Sequence, residues 1–430
     1  MTVGRERLLL LLVLLGGLAI RLPFIAFDPR VSGDLGIITG WAEHMAGGGL
    51  AELLERTSHI LYPPLAMLEL WLGGVLGTPL VLAKLAPILA DVTLGWLVWL
   101  MLRQRGPRVA LVGAAAIVFN PALWYLSAIW GQVDSVQVLL MVASVAALAI
   151  DRFGASWAAW TAGVLWKLQA LVIGPLIVVA TMRKAGWRGL DRGIPASLSV
   201  IIFSFVAFRL VLGGGVFEYA RRLWHGDDAL VISAFGGWFL ARPVIYRLPE
   251  PLVDFLNGGA AWLLGWAFVG LVSVVVLRAA WLNPSREVLA LGAAVLSLAP
   301  FVLLVAMRER YLLAAIPFFL LVAAGWGGRR ADRAGVLAFV AISASQLFNL
   351  LAVASFAPNL WLNVFATEQG PLTLPIRYLG YGVALVNLVV LGWGVLRLLR
   401  VQRPESVEGT DLEQPAKRQL SDDGDRSVAT

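Results

Sequence analysis

Three carboxylates and three cations stand in short polar runs at the edges of long apolar stretches: Asp34, Asp134 and Glu309, with Lys167, Arg308 and Arg310. The densest run is Trp130-Gly131-Gln132-Val133-Asp134-Ser135, which sets an aromatic ring, a glycine, an amide and a carboxylate side by side. The others are Ser32-Gly33-Asp34, Tyr62-Pro63-Pro64, Trp166-Lys167-Leu168-Gln169 and Met307-Arg308-Glu309-Arg310-Tyr311. A carboxylate takes a proton from a hydroxyl. Lys meets phosphate as a point charge and Arg meets it bidentately. Such groups gathered at one water–lipid boundary suit an anionic lipid substrate. Ionisable groups are costly at a membrane and mark function there.

The rest of the chain is the material that must position them. Of its 430 residues, 59% are hydrophobic and 14% charged, against about 25% charged in a soluble domain. Apolar stretches near the length of a membrane span, about 20 residues, recur along it. The sequence predicts an all-α, polytopic membrane protein of about 12 transmembrane helices. The net charge of +7 is not a nucleic-acid signature, because no basic tract carries interleaved aromatics. The chain has no cysteine, which excludes disulfide bracing and thiol chemistry.

Lys and Arg accumulate in alternate loops, and the positive-inside rule places those loops in the cytoplasm. Spans are expected near 8–27, 80–102, 109–128, 135–150, 154–167, 169–182, 194–212, 259–279, 287–306, 311–328, 334–354 and 376–399. The N-terminus has the charge and apolar run of a signal peptide but no small-residue cleavage site, so it reads as an uncleaved first span. The apolar stretch Pro63 to Leu76 is short and breaks the charge alternation, so it reads as a juxtamembrane or re-entrant helix. In the loop before it, Ile37, Ile38, Trp41 and Met45, then Leu50, Leu53 and Leu54, follow helical spacing on either side of Gly47-Gly48-Gly49. Further external segments run from about Gly213 to Asn257 and from about Ser355 to Pro375. Residues 1–402 form one transmembrane domain on this reading. Residues 403–430 read as a disordered polar cytoplasmic tail.

In this orientation every polar run falls on the outer face. Asp34, Trp41 seven residues later, then Tyr62-Pro63-Pro64-Leu65, resemble the GT-C superfamily of integral-membrane glycosyltransferases. Asn120-Pro121 followed by Trp130-Gly131-Gln132-Val133-Asp134-Ser135 is similar to the branch holding bacterial polyprenyl-phosphate-mannose-dependent mannosyltransferases. Arg308-Glu309-Arg310-Tyr311 resembles that branch's His-Glu-Arg-Tyr motif, with Arg308 at the histidine position. The resemblance covers roughly residues 8–320. It implies inverting transfer of a hexose, mannose favoured, from a polyprenyl-phosphate sugar to a lipid-linked or cell-envelope glycan acceptor, at the extracytoplasmic face of the plasma membrane. Membrane lipids are expected as partners, with no nucleic acid, no cofactor and no metal; a divalent cation is possible but not indicated.

The chemistry needs one base for the acceptor hydroxyl and cations for the leaving phosphate, which is already a good anion and requires no general acid. Asp34 is the candidate base, with Asp134 and Glu309 as further catalytic candidates. Arg310, Arg308 and Lys167 are the candidates for the donor phosphate. Trp130, Gln132, Gln169, Tyr62 and Tyr311 are the candidates for substrate contact. Blander roles suit the same residues. Asp34 suits a loop or cap, Asp134 a cap for a helix from Ser135, Trp130 an interfacial anchor and Lys167 a snorkelling lysine. Arg308 and Arg310 suit pairing with Glu309 or lipid headgroups. His44, His59 and His225 lack metal-ligand spacing. Asp91, with Lys84 two turns away on the same face, suits a pair with another helix, and Arg21 and Arg209 are ambiguous. The rival classes are a transporter or lipid flippase, which often carries inverted repeats and midplane charges, and a non-catalytic scaffold.

Overall fold

The computed structural model describes residues 2–27, 34–57, 62–223, 235–245, 247–305, 307–327, 331–353 and 374–402. Ser32, Gly33, His59, His225, the stretch Ser355 to Thr373 and the tail from 403 lie outside the described residues. Every described element is helical. They are α1 (Val3–Ala19), α2 (Asp34–Arg56), α3 (Pro64–Val75), α4 (Pro79–Leu102), α5 (Pro107–Val118) and α6 (Pro121–Trp124). There follow α7 (Asp134–Ala149), α8 (Phe153–Trp166), α9 (Gly174–Ala185), α10 (Trp187–Leu212), α11 (Val216–Leu223) and α12 (Gly237–Ile245). Last come α13 (Glu250–Phe255), α14 (Ala261–Leu282), α15 (Arg286–Leu303), α16 (Ala315–Ala323), α17 (Arg333–Val353) and α18 (Leu374–Leu399). Proline opens α3, α4, α5 and α6; its missing N–H costs nothing at the first helical position and its fixed φ suits the helix.

The chain is an all-α, polytopic membrane protein. Nine helices among the described residues are long and apolar enough to cross a membrane: 3–24, 79–105, 107–130, 168–185, 187–212, 261–282, 286–303, 333–352 and 378–399. Three expected spans are shorter than that: Asp134–Ala149, Phe153–Trp166 and Tyr311–Ala323. Each is cut at one end by a polar turn: left-handed Gly131 (φ 75°) before the first, extended Lys167 (φ −158°, ψ 128°) after the second, and Arg308-Glu309-Arg310 before the third. Irregular backbone at membrane depth is tolerated where protein surrounds it, and α16 is buried along its whole length.

Chain alternation puts the start of α2, the turn before α7, the turn after α8 and the turn before α16 at one end of the bundle, called here the site end. The basic loops lie at the other. There Arg397 pairs with Glu287 at 2.7 Å and with Asp332, and Lys184 with Asp151 at 2.6 Å.

Helices α2 and α3 form a cap at the site end. Helix α2 breaks at Gly49 (φ 68°), the last of the three glycines. Its inward face is Leu35, Ile38, Trp41, Met45, Leu50 and Leu53, while Ile37, expected in that stripe, is exposed. One residue of phase explains the difference: with Trp41 and Ala42 both buried, Ile37 falls outside the arc that faces α3. Helix α3 is too short to span and lies close on α2. A Cβ at Gly74 would stand 2.1 Å from Ala42 O, so only glycine allows that approach.

Candidate active site

The turn between α6 and α7 delivers Gln132. Asn120 accepts from Ala122 N (3.0 Å) and starts α6. The helix then widens into a π-turn, Tyr125–Trp130, and stops at left-handed Gly131. Gln132 Nε2 donates to Asp34 Oδ2 at 3.2 Å, and Gln132 Oε1 accepts from the Tyr62 hydroxyl at 3.1 Å. Tyr62 is fixed edge-on against Trp41 (5.8 Å between ring centres), and its carbonyl accepts from the Tyr219 hydroxyl. Burial raises the Tyr62 pKa above the ordinary phenol value, so it stays a donor.

Asp34 opens α2. Its Oδ2 also accepts from Arg310 Nη1 at 2.7 Å, and the same Nη1 donates to Glu309 Oε1 at 3.0 Å. The Arg310 side chain is 4% exposed and that of Asp34 26%. Burial works against the Arg310 charge, but Glu309 and then Asp34 outweigh it and raise its pKa well above the ordinary guanidinium value. Arg310 Nε is buried and has no partner among the described residues.

A second ion pair stands alongside. Lys167 Nζ reaches Asp134 Oδ2 at 2.7 Å, and lies 5.8 Å from the Tyr62 ring centre and 5.5 Å from that of Tyr311. Burial lowers the Lys167 pKa to about 8, with Asp134 pulling it back up. Asp134 is the first residue of α7, and its carboxylate is spent on Lys167 rather than on a cap at Ser135.

Beside these pairs lies a cavity of about 290 Å³. Asp134, Gln169, Arg310 and Tyr311 form its polar rim, and Val138, Leu171, Val172, Pro300, Phe301, Leu304 and Leu313 its apolar wall. Trp266 of α14 stands at its lipid-facing side, 43% exposed. The lining comes from the site-end halves of α7, α14 and α15, from the start of the segment leading to α9 and from the turn that leads into α16. Gln137 and Ser297 also line it and carried no signal beyond being polar residues in apolar helices.

The structure thus brings Asp34, Gln132, Tyr62, Glu309, Arg310, Lys167, Asp134, Tyr311 and Gln169 together. Arg308 is half-buried and adjoins them, its carbonyl accepting from Tyr311 N (3.2 Å). Trp130 is 1% exposed, sits edge-on to Tyr125 and does not line the cavity, so it packs the turn from behind. Asp91 pairs with Arg21 of the first span, not with Lys84. His44 lies 3.7 Å from Glu52 on α2, and the described residues hold no group of three or more metal-binding side chains.

No family model matches the sequence, and no curated protein matches it. Among solved structures the chain is similar to ArnT from Cupriavidus metallidurans, determined bound to undecaprenyl phosphate. The identity is 17%, the match covers 91% of this chain and 79% of that one, and the TM-score is 0.49.

Proposed function

We propose that this chain is an inverting glycosyltransferase. On this reading it moves a hexose, with mannose favoured, from a polyprenyl-phosphate sugar to a lipid-linked or cell-envelope glycan hydroxyl at the extracytoplasmic face of the plasma membrane. One observation carries the reading: Asp34 and the buried guanidinium of Arg310 meet 2.7 Å apart, and Arg310 lines an apolar cavity. The cavity suits the first isoprene units of a lipid carrier, entering past Trp266. Arg310 and Lys167 suit the phosphate, and Asp34 the acceptor hydroxyl.

The step balances with those groups alone. The acceptor oxygen attacks the anomeric carbon as Asp34 takes its proton. The bond from that carbon to the phosphate oxygen breaks, and polyprenyl phosphate leaves as an anion held by Arg310 and Lys167. One displacement at one carbon inverts the configuration, in contrast to the two-step pattern of retaining enzymes. Transport is the weaker reading, because the cavity lining is confined to the site-end half of the bundle.

The deciding experiment incubates purified protein in lipid nanodiscs with a panel of polyprenyl-phosphate hexoses and membrane glycolipid extracts. The expected result is one glycosylated product with the anomeric configuration opposite to the donor's by NMR. Folded protein that transfers no sugar from any donor ends the reading. Movement of intact donor across a sealed bilayer in its place establishes a flippase.

A further inference from the structure

Lys84, Asp91 and Arg21 are buried, charged and unused by the proposed reaction. They line one seam, where the end of the first span meets α4 and the π-turn. Arg21 donates through Nε and Nη2 to Asp91 Oδ2 (3.2 and 3.1 Å), and through Nη1 to Gly17 O (2.9 Å) and Val118 O (2.8 Å). Ser127, inside the π-turn, donates to the same Asp91 oxygen at 2.6 Å. Two turns nearer the site end, Lys84 Nζ reaches four main-chain carbonyls: Phe24 at 3.0 Å, Phe27 at 2.7 Å, Ala128 at 3.0 Å and Ile129 at 3.1 Å.

The π-turn has a physical need for that ammonium. Gly131 and Gln132 both return their N–H to Leu126 O (3.0 and 3.1 Å). The chain then leaves the helix, and the carbonyls of Ala128 and Ile129 point onward without helical N–H groups to meet them. Inside a membrane protein no bulk water replaces those partners. A cation at the C-terminal end of a helix also complements its dipole. The Lys84 stem is close as well: a Cβ at Gly131 would lie 3.1 Å from Lys84 Cγ and Cε and 2.9 Å from Leu35 Cδ1. Gly131 therefore sits between Lys84 and the residue next to Asp34.

We propose that Lys84 is a positioning residue of the site. It clamps the end of the first span to the π-turn, and so holds Gln132 against Asp34 and Tyr62. Its effect on sugar transfer rests on the proposed function; the clamp itself does not. The contact path runs from Lys84 to the carbonyls of Ala128 and Ile129, through Gly131, to Gln132 and the Asp34 carboxylate. Lys84 touches no substrate on this path.

The test uses the absence of cysteine in the full chain. A single Gln132→Cys reporter is reacted with a maleimide, with and without Lys84→Met. A Ser144→Cys reporter, fully buried near the middle of α7, serves as control. Loss of the clamp should speed labelling at position 132 at least about tenfold and leave the control unchanged, since releasing one turn exposes that turn alone. Equal labelling at position 132 overturns the proposal, as does equal acceleration at both positions. In the activity arm, Lys84→Met should lower kcat about 10- to 100-fold, as small misplacements near a reacting centre do. The KM for the donor should stay within about twofold, because Arg310 and Lys167 still hold the phosphate. Added to Gln132→Ala, Lys84→Met should cost little more, because it acts through Gln132. A KM effect without a kcat effect, or fully multiplicative losses, overturns the proposal. If Lys84→Met does not fold, Gly131→Ala displaces the same turn and carries both arms. If wild-type protein transfers no sugar but labelling still depends on Lys84, the clamp stands and the glycosyltransferase reading falls.

Discussion

Arg310 Nη1 is shared by two carboxylates, Asp34 at 2.7 Å and Glu309 at 3.0 Å. On the proposed reading the base and the phosphate-holding cation are therefore each other's partners before substrate arrives. A donor phosphate at Arg310 competes with Asp34 for the guanidinium and frees the carboxylate as it binds. Asp34→Asn removes that competitor and keeps the shape. Turnover should fall about 10²–10⁴-fold, the usual contribution of a general base. Affinity for polyprenyl phosphate should rise, by about tenfold, or on the order of 1.4 kcal/mol. A titration of wild type and variant with polyprenyl phosphate reads this directly. Weaker binding by the variant removes the competition, and near-normal turnover shifts the base to Asp134 or Glu309.

Arg310 should fail differently. Arg310→Ala takes the cation from both the bound donor and the leaving group, so KM for the donor rises and kcat falls together. It also leaves Glu309, 2% exposed, without this partner, so the variant's thermal stability must be measured beside its rate. Arg310→Lys should recover only part of the activity, because the planar fork is lost. Arg308→Ala should matter less, since Arg308 is half-buried at the margin. Unchanged donor binding and turnover in Arg310→Ala would move the phosphate to Lys167.

The class and most of the helices are legible in the sequence because bilayer thickness and helix rise leave little freedom. Charge alternation likewise sorts Asp34, Asp134, Lys167 and Arg310 to one end, since loops at one end of a bundle repeat at every second turn. What the sequence hides is which partner each polar group takes. Asp91 and Lys84 share a face of α4, yet Asp91 is met by Arg21 and Lys84 by carbonyls, 70 and between 44 and 60 residues away in the chain. No periodicity reports a π-turn, because Tyr125 to Trp130 reads as ordinary helix until Gly131 leaves it. Trp130 shows the same limit: its neighbours in sequence are functional candidates, while its own ring points into the core.

Lys167 gives the site a pH signature. Its pKa is lowered to about 8 by burial, against the pull of Asp134. Below that pH it is an ammonium and attracts the donor phosphate; above it the charge is lost. Donor affinity should therefore fall as pH rises from 7 through 9, by at most about tenfold per unit. Lys167→Arg keeps its charge throughout and should flatten that limb, at whatever overall affinity its larger head permits. A wild-type affinity that holds constant to pH 9 would detach Lys167 from the phosphate.

Glu69 offers a test of the α2–α3 cap that is separate from catalysis. It lies on α3, and although its stem reaches the surface, both carboxylate oxygens are buried without a partner among the described residues. Burial raises its pKa from 4.5 to about 8. The folded state thus holds its proton across a range where the unfolded chain releases it. Linkage then fixes the sign: the stability associated with the protonated form is complete below pH 4.5 and is lost as pH climbs to about 8, after which the curve levels. Glu69→Gln is neutral at every pH and of nearly the same shape. Its Tm should match wild type near pH 4.5 and exceed it increasingly toward pH 8, by on the order of 2–4 °C. Differential scanning fluorimetry of the two proteins from pH 4.5 to 9 supplies the comparison. Parallel Tm curves would mean that Glu69 is already charged at neutral pH and has found a partner or water in the folded protein.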